Sequence, residues 1–305
     1  MTSLADLERS GRYLPTLDGR VFVKERGEGG TPLVVLHGFP TSCHDFDEAI
    51  GELARDRRVL TFDFLGYGLS DKPGHYSYSL MAQTDMALAV LRDAGITRAH
   101  VWAHDMGTSV ATELCARRER GLLGTFELAS LTLMNGSVHV ELADLTFGQH
   151  LLRSPLGGLF ARFTNERTFG LQMRRIFGKP VADEKVHEMW ELLARENGAR
   201  IMPKLIGYVG ERYAFWDRWI GALRRLDVPT LVAWGELDPV AIMPIARALA
   251  AEIPGARFET WPDLGHYPQV EEPARVAATV AAFLSATRSG GPDGDGPGAT
   301  QPAER

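Results

Sequence analysis

The most constraining feature of this chain is the stretch Val101-Trp102-Ala103-His104-Asp105-Met106-Gly107. An apolar strand runs into a tight turn and straight out into a helix. Small residues, Ala103 and Gly107, stand two positions before and two after Asp105. That spacing lets a strained turn carry one side chain up into a cleft. An elbow of this kind needs a buried strand behind it and a helix in front, so it commits its surroundings to strand–helix alternation.

The rest of the chain keeps that rhythm. The turn dipeptide Asp18-Gly19 precedes Val21 to Val23 and predicts an early hairpin. Leu33 to Leu36 and Val59 to Phe62 are short apolar runs, as expected of strands buried on both faces. Leu80 to Leu91 has helical spacing. Then come strand His100 to Ala103, the helix after Asp105, and strand Leu128 to Met134. In the helix after Asp105, Val110, Leu114 and Cys115 can face the sheet, and Arg117, Arg118 and Arg120 fall in the last turn, where positive charge suits the dipole. Leu231 to Trp234 and Arg257 to Trp261 are later strands, with helices over Ile242 to Ile253 and Ala274 to Leu284. The expected class is α/β, a mostly parallel doubly wound sheet.

Between Ser137 and Leu226 the rhythm stops, and apolar residues recur at spacings of three and four. That all-helical block reads as a lid inserted into the sheet domain. The expected division is therefore a core of residues 1–136 and 227–288, a lid of residues 137–226, and a disordered tail of residues 289–305, rich in Gly and Pro.

Composition narrows the partners. With 305 residues, 45% hydrophobic, the chain can bury one large core. A formal charge of -6 offers no basic face for nucleic acid. Cys43 and Cys115 lack metal-ligand spacing and read as reduced thiols. The first eight residues have neither a basic nor an apolar region of the signal-peptide kind, and no apolar run is long enough to span a bilayer. The expectation is a cytoplasmic protein. No Gly-rich dinucleotide spacing follows the first strand, so no cofactor is expected.

The chemistry is read from three loops that follow strands. Asp105 tips the elbow, Asp238 lies in Gly235-Glu236-Leu237-Asp238-Pro239, and His266 lies in Pro262-Asp263-Leu264-Gly265-His266-Tyr267-Pro268. Each has a plainer reading: Asp105 could cap a helix, Asp238 could be a turn residue, and His266 could be a loop or core histidine. The order nucleophile, acid, His at strand ends favours catalysis. Asp263 and Glu236 compete with Asp238 for the acid role, and Asn135 holds an alternative acid position but is not a carboxylate. The order nucleophile, acid, His is similar to the one in α/β-hydrolases. The resemblance implies an oxyanion site at the loop His37-Gly38-Phe39-Pro40, with the backbone N–H groups of Phe39 and Met106 as the expected donors. A carboxylate nucleophile suits a saturated carbon, because attack there leaves an ester that water can cleave.

These motifs resemble the epoxide hydrolase and haloalkane dehalogenase branch of the α/β-hydrolases. A narrower resemblance, to the mesoderm-specific transcript protein group, rests on His37-Gly38-Phe39-Pro40-Thr41-Ser42, Asp63-Phe64-Leu65-Gly66-Tyr67-Gly68 and Ser70-Asp71-Lys72-Pro73. It extends through Asp238-Pro239-Val240 to His266-Tyr267-Pro268-Gln269 ahead of Glu272-Pro273. The resemblance implies a two-step hydrolysis. Asp105 forms an alkyl ester, then His266, oriented by Asp238, activates water as co-substrate. Dehalogenases of this branch commonly hold halide with a Trp after the nucleophile and an Asn after His-Gly. Met106 and Phe39 stand there, leaving lid residues Trp190, Trp216 and Trp219 as substitutes. Fluoroacetate-type enzymes carry an Arg just past the nucleophile, where this chain has Met106-Gly107-Thr108-Ser109. Epoxide hydrolases use two lid Tyr hydroxyls. Tyr208 and Tyr213 lie about 140° apart on a continuous helix, so Tyr208 is the expected acid and Tyr213 packing. His104, Tyr208, Trp190 and Trp216 are the expected substrate contacts, and a small hydrophobic epoxide the expected substrate. A halide, ester or lactone hydrolase and a non-catalytic ligand-binding relative are the alternatives.

Overall fold

A computed structural model describes residues 3–289. The eight strands are β1 (Arg12–Pro15), β2 (Arg20–Arg26), β3 (Leu33–Leu36), β4 (Val59–Phe62), β5 (Arg98–His104), β6 (Glu127–Met134), β7 (Thr230–Gly235) and β8 (Arg257–Trp261). They form one sheet in the order β1-β2-β4-β3-β5-β6-β7-β8. The β1–β2 hairpin and the β2–β4 pair are antiparallel, and every other pair is parallel.

Period-two alternation divides the core between the two faces of the sheet. Leu33, Val35, Trp102, Leu231 and Ala233 pack into one cluster. Their neighbours Val34, Leu36, Val101, Val232 and Trp234 pack into the other. Both faces are covered by helices, which is why these strands read as unbroken apolar runs rather than alternating ones. Cys43 and Cys115 are buried free thiols.

The parallel register brings strand ends level. Leu36 pairs with Ala103, His104 with Met134, and Met134 with Ala233. The loops after β3, β5, β6, β7 and β8 therefore open on the same edge of the sheet. Short helices fill residues 147–224, between β6 and β7, as the spacing predicts. The last of them, Trp216–Arg224, packs on the core helix Met106–Glu119. There Arg218 donates two hydrogen bonds of 2.7 Å to the buried Glu113, and Trp219 Nε1 adds one at 2.9 Å. That stretch, assigned to the lid by its spacing, forms the helical layer that leads into β7.

The expected tail of residues 289–305 lies, beyond Ser289, outside the described residues. Among the described residues, no helix is long and apolar enough to cross a membrane.

Candidate active site

Asp105 sits between β5 and the helix Met106–Glu119 with φ 44° and ψ -113°. An L-residue rarely adopts this backbone, and two glycines make room for it. A Cβ on Gly107 would lie 2.4 Å from Leu36 O, and one on Gly38 would lie 2.6 Å from Asp105 Cβ. Although Asp105 stands at the helix N-cap, its side chain makes no capping bond. Its Oδ2 instead accepts the Phe39 N–H at 2.7 Å. The carboxylate thus occupies one of the two predicted oxyanion donors, and it is 2% exposed.

The loop carrying Phe39 is held from several sides. His37 Nδ1 donates to Gly38 O at 2.9 Å while Nε2 accepts the Phe64 N–H at 3.0 Å. That pattern requires a neutral ring, and burial lowers the His37 pKa accordingly. Tyr267 Oη donates to Phe39 O at 3.1 Å. Thr41 Oγ1 donates to Asp45 Oδ2, and burial pushes the Asp45 carboxyl up to about 7.

Across the cleft, His266 Nδ1 lies 2.7 Å from Asp238 Oδ2. Burial on its own drives an imidazole pKa down. Here the charge and hydrogen bond of Asp238 outweigh it, and the His266 pKa is raised. Asp238 is itself pinned: Oδ1 accepts the N–H groups of Val240 and Ala241 at 2.7 and 3.0 Å. Asn135 Nδ2 adds 2.8 Å to Oδ2. Asn135 thus contributes as an amide donor at the position where a carboxylate was considered. The competing acids face elsewhere. Asp263 pairs with Lys179 at 2.8 Å and Arg275 at 2.7 Å, and Glu236 accepts from Thr260 at 2.7 Å.

Asp105 and His266 line one cavity of about 170 Å³. Its walls include Phe39, Leu152, Phe160, Phe169, Met173 and Met202, with Gln149 and Gln172 as polar members and Arg175 beside them. The expected substrate contacts are not among its lining residues. His104 is fully buried and its Nε2 meets the carbonyl of His266 at 2.7 Å. Burial and the nearby His266 push its pKa down to about 3, so the neutral ring donates to that carbonyl and shapes the His266 loop from behind. Trp190 packs on Phe169 at 5.7 Å between ring centroids. Trp216 Nε1 donates to Glu141 at 2.6 Å. Tyr208 is buried beside Phe39, 5.8 Å between centroids, with its hydroxyl engaged by Gln149. Burial first, and then the charge of Asp105, raise its pKa strongly. Tyr213 points away, 55% exposed. These placements share one cause: local spacing tells which face a side chain is on, not which neighbour that face meets.

Two residues that the sequence reading missed complete the site. Arg212, from the helix Tyr208–Ala214, is 2% exposed. Its Nε donates to Ser109 Oγ at 2.8 Å and its Nη2 to Asp105 O at 3.2 Å, and Nη2 is 4.0 Å from Asp105 Oδ1. A buried cation therefore faces the carboxylate from the insertion. Glu271 accepts backbone N–H groups of Gly178, Lys179, Gly265 and Tyr267, tying the His266 loop to the insertion. No local pattern marks Arg212, but Glu271 stood between two recognised motifs.

A family model described as alpha/beta hydrolase fold matches residues 31–273. LipZ of Mycobacterium tuberculosis, named as a hydrolase, is 42% identical over 285 residues, covering 92% of this chain and 98% of its own. The mesoderm-specific transcript protein of Mus musculus is 31% identical, covering 93% and 88%. A structure described as an ancestral haloalkane dehalogenase superposes with a TM-score of 0.78 at 20% identity, covering 91% of this chain and 99% of that one.

Proposed function

The chain belongs to the alpha/beta hydrolase fold family, and from that premise we propose that it hydrolyses a small apolar epoxide through a covalent ester on Asp105. The observation that carries this reading is the Asp105 carboxylate, which leaves its helix uncapped and takes the Phe39 N–H at 2.7 Å. With Oδ2 held there, Oδ1 is the oxygen free to attack. It bonds to a ring carbon, the C–O bond breaks, and the ring oxygen takes a proton. The buried hydroxyl of Tyr208, linked to the cavity by Gln149, is the candidate donor.

In the second step, His266 takes a proton from water, which attacks the ester carbonyl. Negative charge then develops on the oxygen that already faces Phe39. Such a donor contributes on the order of 3 kcal/mol, and a positioned general base about 10²–10⁴ in rate. Collapse of the intermediate passes the His266 proton to the departing alkoxide, which leaves as the diol. The proton left on the Asp105 carboxyl returns to the Tyr208 phenolate, restoring the carboxylate. Asp238 stabilises the imidazolium in between. No Trp is among the residues lining the cavity, and beside Asp105 and His266 its polar members are Thr146, Thr164, Gln149, Gln172 and Arg175, a set with hydroxyl and amide groups that favours an oxygen leaving group over a halide.

The test is the intact mass of a His266→Gln variant after exposure to a panel of epoxides, alkyl halides and esters. A gain equal to one whole epoxide, mapped to Asp105, is the expected result. An alkyl adduct without halogen makes the enzyme a dehalogenase. No adduct from any class, with the wild type equally inert toward the panel, sinks the covalent reading.

A further inference from the structure

Outside the site, the strongest unexplained feature is the outer surface of the insertion around the cavity. Five of the eleven large apolar side chains that stand exposed among the described residues fall within residues 147–171. They are Phe147 at 81%, Leu156 at 61%, Leu159 at 54%, Phe163 at 71% and Leu171 at 52%. Single exposed apolar residues need no explanation, but a cluster on one element does. Leu156, Leu159 and Phe163 recur at spacings of three and four along the helix Gly157–Phe163, while Gly157 and Ala161 hold its buried side. The helix is thus apolar on the face turned to solvent as well as on the face turned inward.

Charge sharpens the picture. Residues 147–176 carry five arginines and a single acidic residue, Glu166, a net of +4 in a chain of -6. All five arginines are exposed. Arg174 pairs with Asp183. Arg153, Arg162, Arg167 and Arg175 have no carboxylate partner within ion-pair distance among the described residues. Cationic side chains beside an exposed apolar face are the signature of segments that lie in a lipid interface. The three helices Phe147–Arg153, Gly157–Phe163 and Glu166–Ile176 all contribute walls to the cavity that holds Asp105 and His266, and Phe147 both lines it and stands open to solvent. The net charge of +4 on this segment complements an anionic lipid surface, and the exposed apolar side chains beside it suit the acyl boundary beneath the headgroups.

We propose that the outer face of these three helices docks the protein onto an anionic lipid surface. The proposal is independent of the chemistry assigned to Asp105. It rests on the coincidence of exposed apolar side chains, arginines without a carboxylate partner and cavity-lining residues on the same three helices.

The experiment is co-sedimentation of the full chain with sucrose-loaded vesicles, either of phosphatidylcholine alone or with phosphatidylserine added. The expected result is salt-sensitive binding to the anionic vesicles and little to the neutral ones. A Leu159→Glu, Phe163→Glu double variant should lose at least about ten-fold in partitioning, since charge replaces inserted apolar surface. Arg162→Gln and Arg167→Gln, which disturb no packing, should each lose about five-fold. Near-UV circular dichroism checks that the variants remain folded. Absence of binding to anionic vesicles at low salt overturns the proposal, as does unchanged binding by folded variants. Light scattering without lipid supplies the remaining outcome. A wild-type dimer dissolved by the double variant would make this face a contact between copies and overturn the lipid assignment.

Discussion

The loops at the end of the sheet and the helices inserted between β6 and β7 handle polar groups in opposite ways. In the loops, the candidate site side chains are held by specific hydrogen bonds. Asp238 accepts from two backbone amides and one side-chain amide, and faces His266 at 2.7 Å. Asp105 is held in a backbone conformation that glycines on both sides permit. In the insertion, large apolar side chains and arginines stand in solvent, while Arg212, Arg218 and Trp219 reach the buried Ser109 and Glu113 of the core. The difference teaches where precision is needed. Reacting groups must be kept in place against their own desolvation cost, whereas a surface that admits an apolar ligand needs area and shape. Arg212 joins the two regimes, since it carries a charge from the insertion to the carboxylate of the elbow.

The sharpest way to test that contrast is Asp238→Asn. It removes the charge that holds the His266 pKa above its usual value. Because His266 must be neutral to accept a proton from water, wild-type ester hydrolysis should fall as pH drops through that raised pKa. In the variant the acid limb should move to lower pH, while the plateau rate drops by about 10³–10⁴. Single-turnover decay of the adduct across pH reads both effects. An acid limb that stays in place would remove Asp238 from the role.

Gly38→Ala comes next. Its Cβ would meet Asp105 Cβ at 2.6 Å and Oδ2 at 2.9 Å, pushing the carboxylate off the Phe39 amide. The loss of one oxyanion donor should cost about 10²–10³ in the hydrolytic step, read as slower turnover with fold retained by circular dichroism. The smallest effect belongs to the insertion. Trp216→Phe gives up one hydrogen bond to Glu141 at a residue that does not line the cavity. Stability should change by no more than about 0.5 kcal/mol and turnover not at all. A large loss of turnover there would erase the distinction between the two regions.

Much of the core was legible beforehand because its signals are local. Buried parallel strands read as short apolar runs, and Arg257 to Trp261 matches β8 residue for residue. The elbow announced itself through Ala103 and Gly107, since a strained turn restricts its neighbours to small side chains. The same local reading says less about the insertion. Trp216 to Arg224 has the spacing of the helices before it, yet it packs on the core. Trp190, Trp216 and His104 carry groups suited to a substrate and are turned to Phe169, Glu141 and the His266 carbonyl instead.

The sequence alone determined the sheet, the elbow and the chain order of Asp105, Asp238 and His266, because each depends on residues near one another along the chain. Tertiary structure alone decided that Asp105 meets the amide of Phe39, 66 positions earlier, rather than its own helix. It also decided that Arg212 arrives from 107 positions away. Contacts across such separations depend on how whole elements cross in space, and no period in the chain records that.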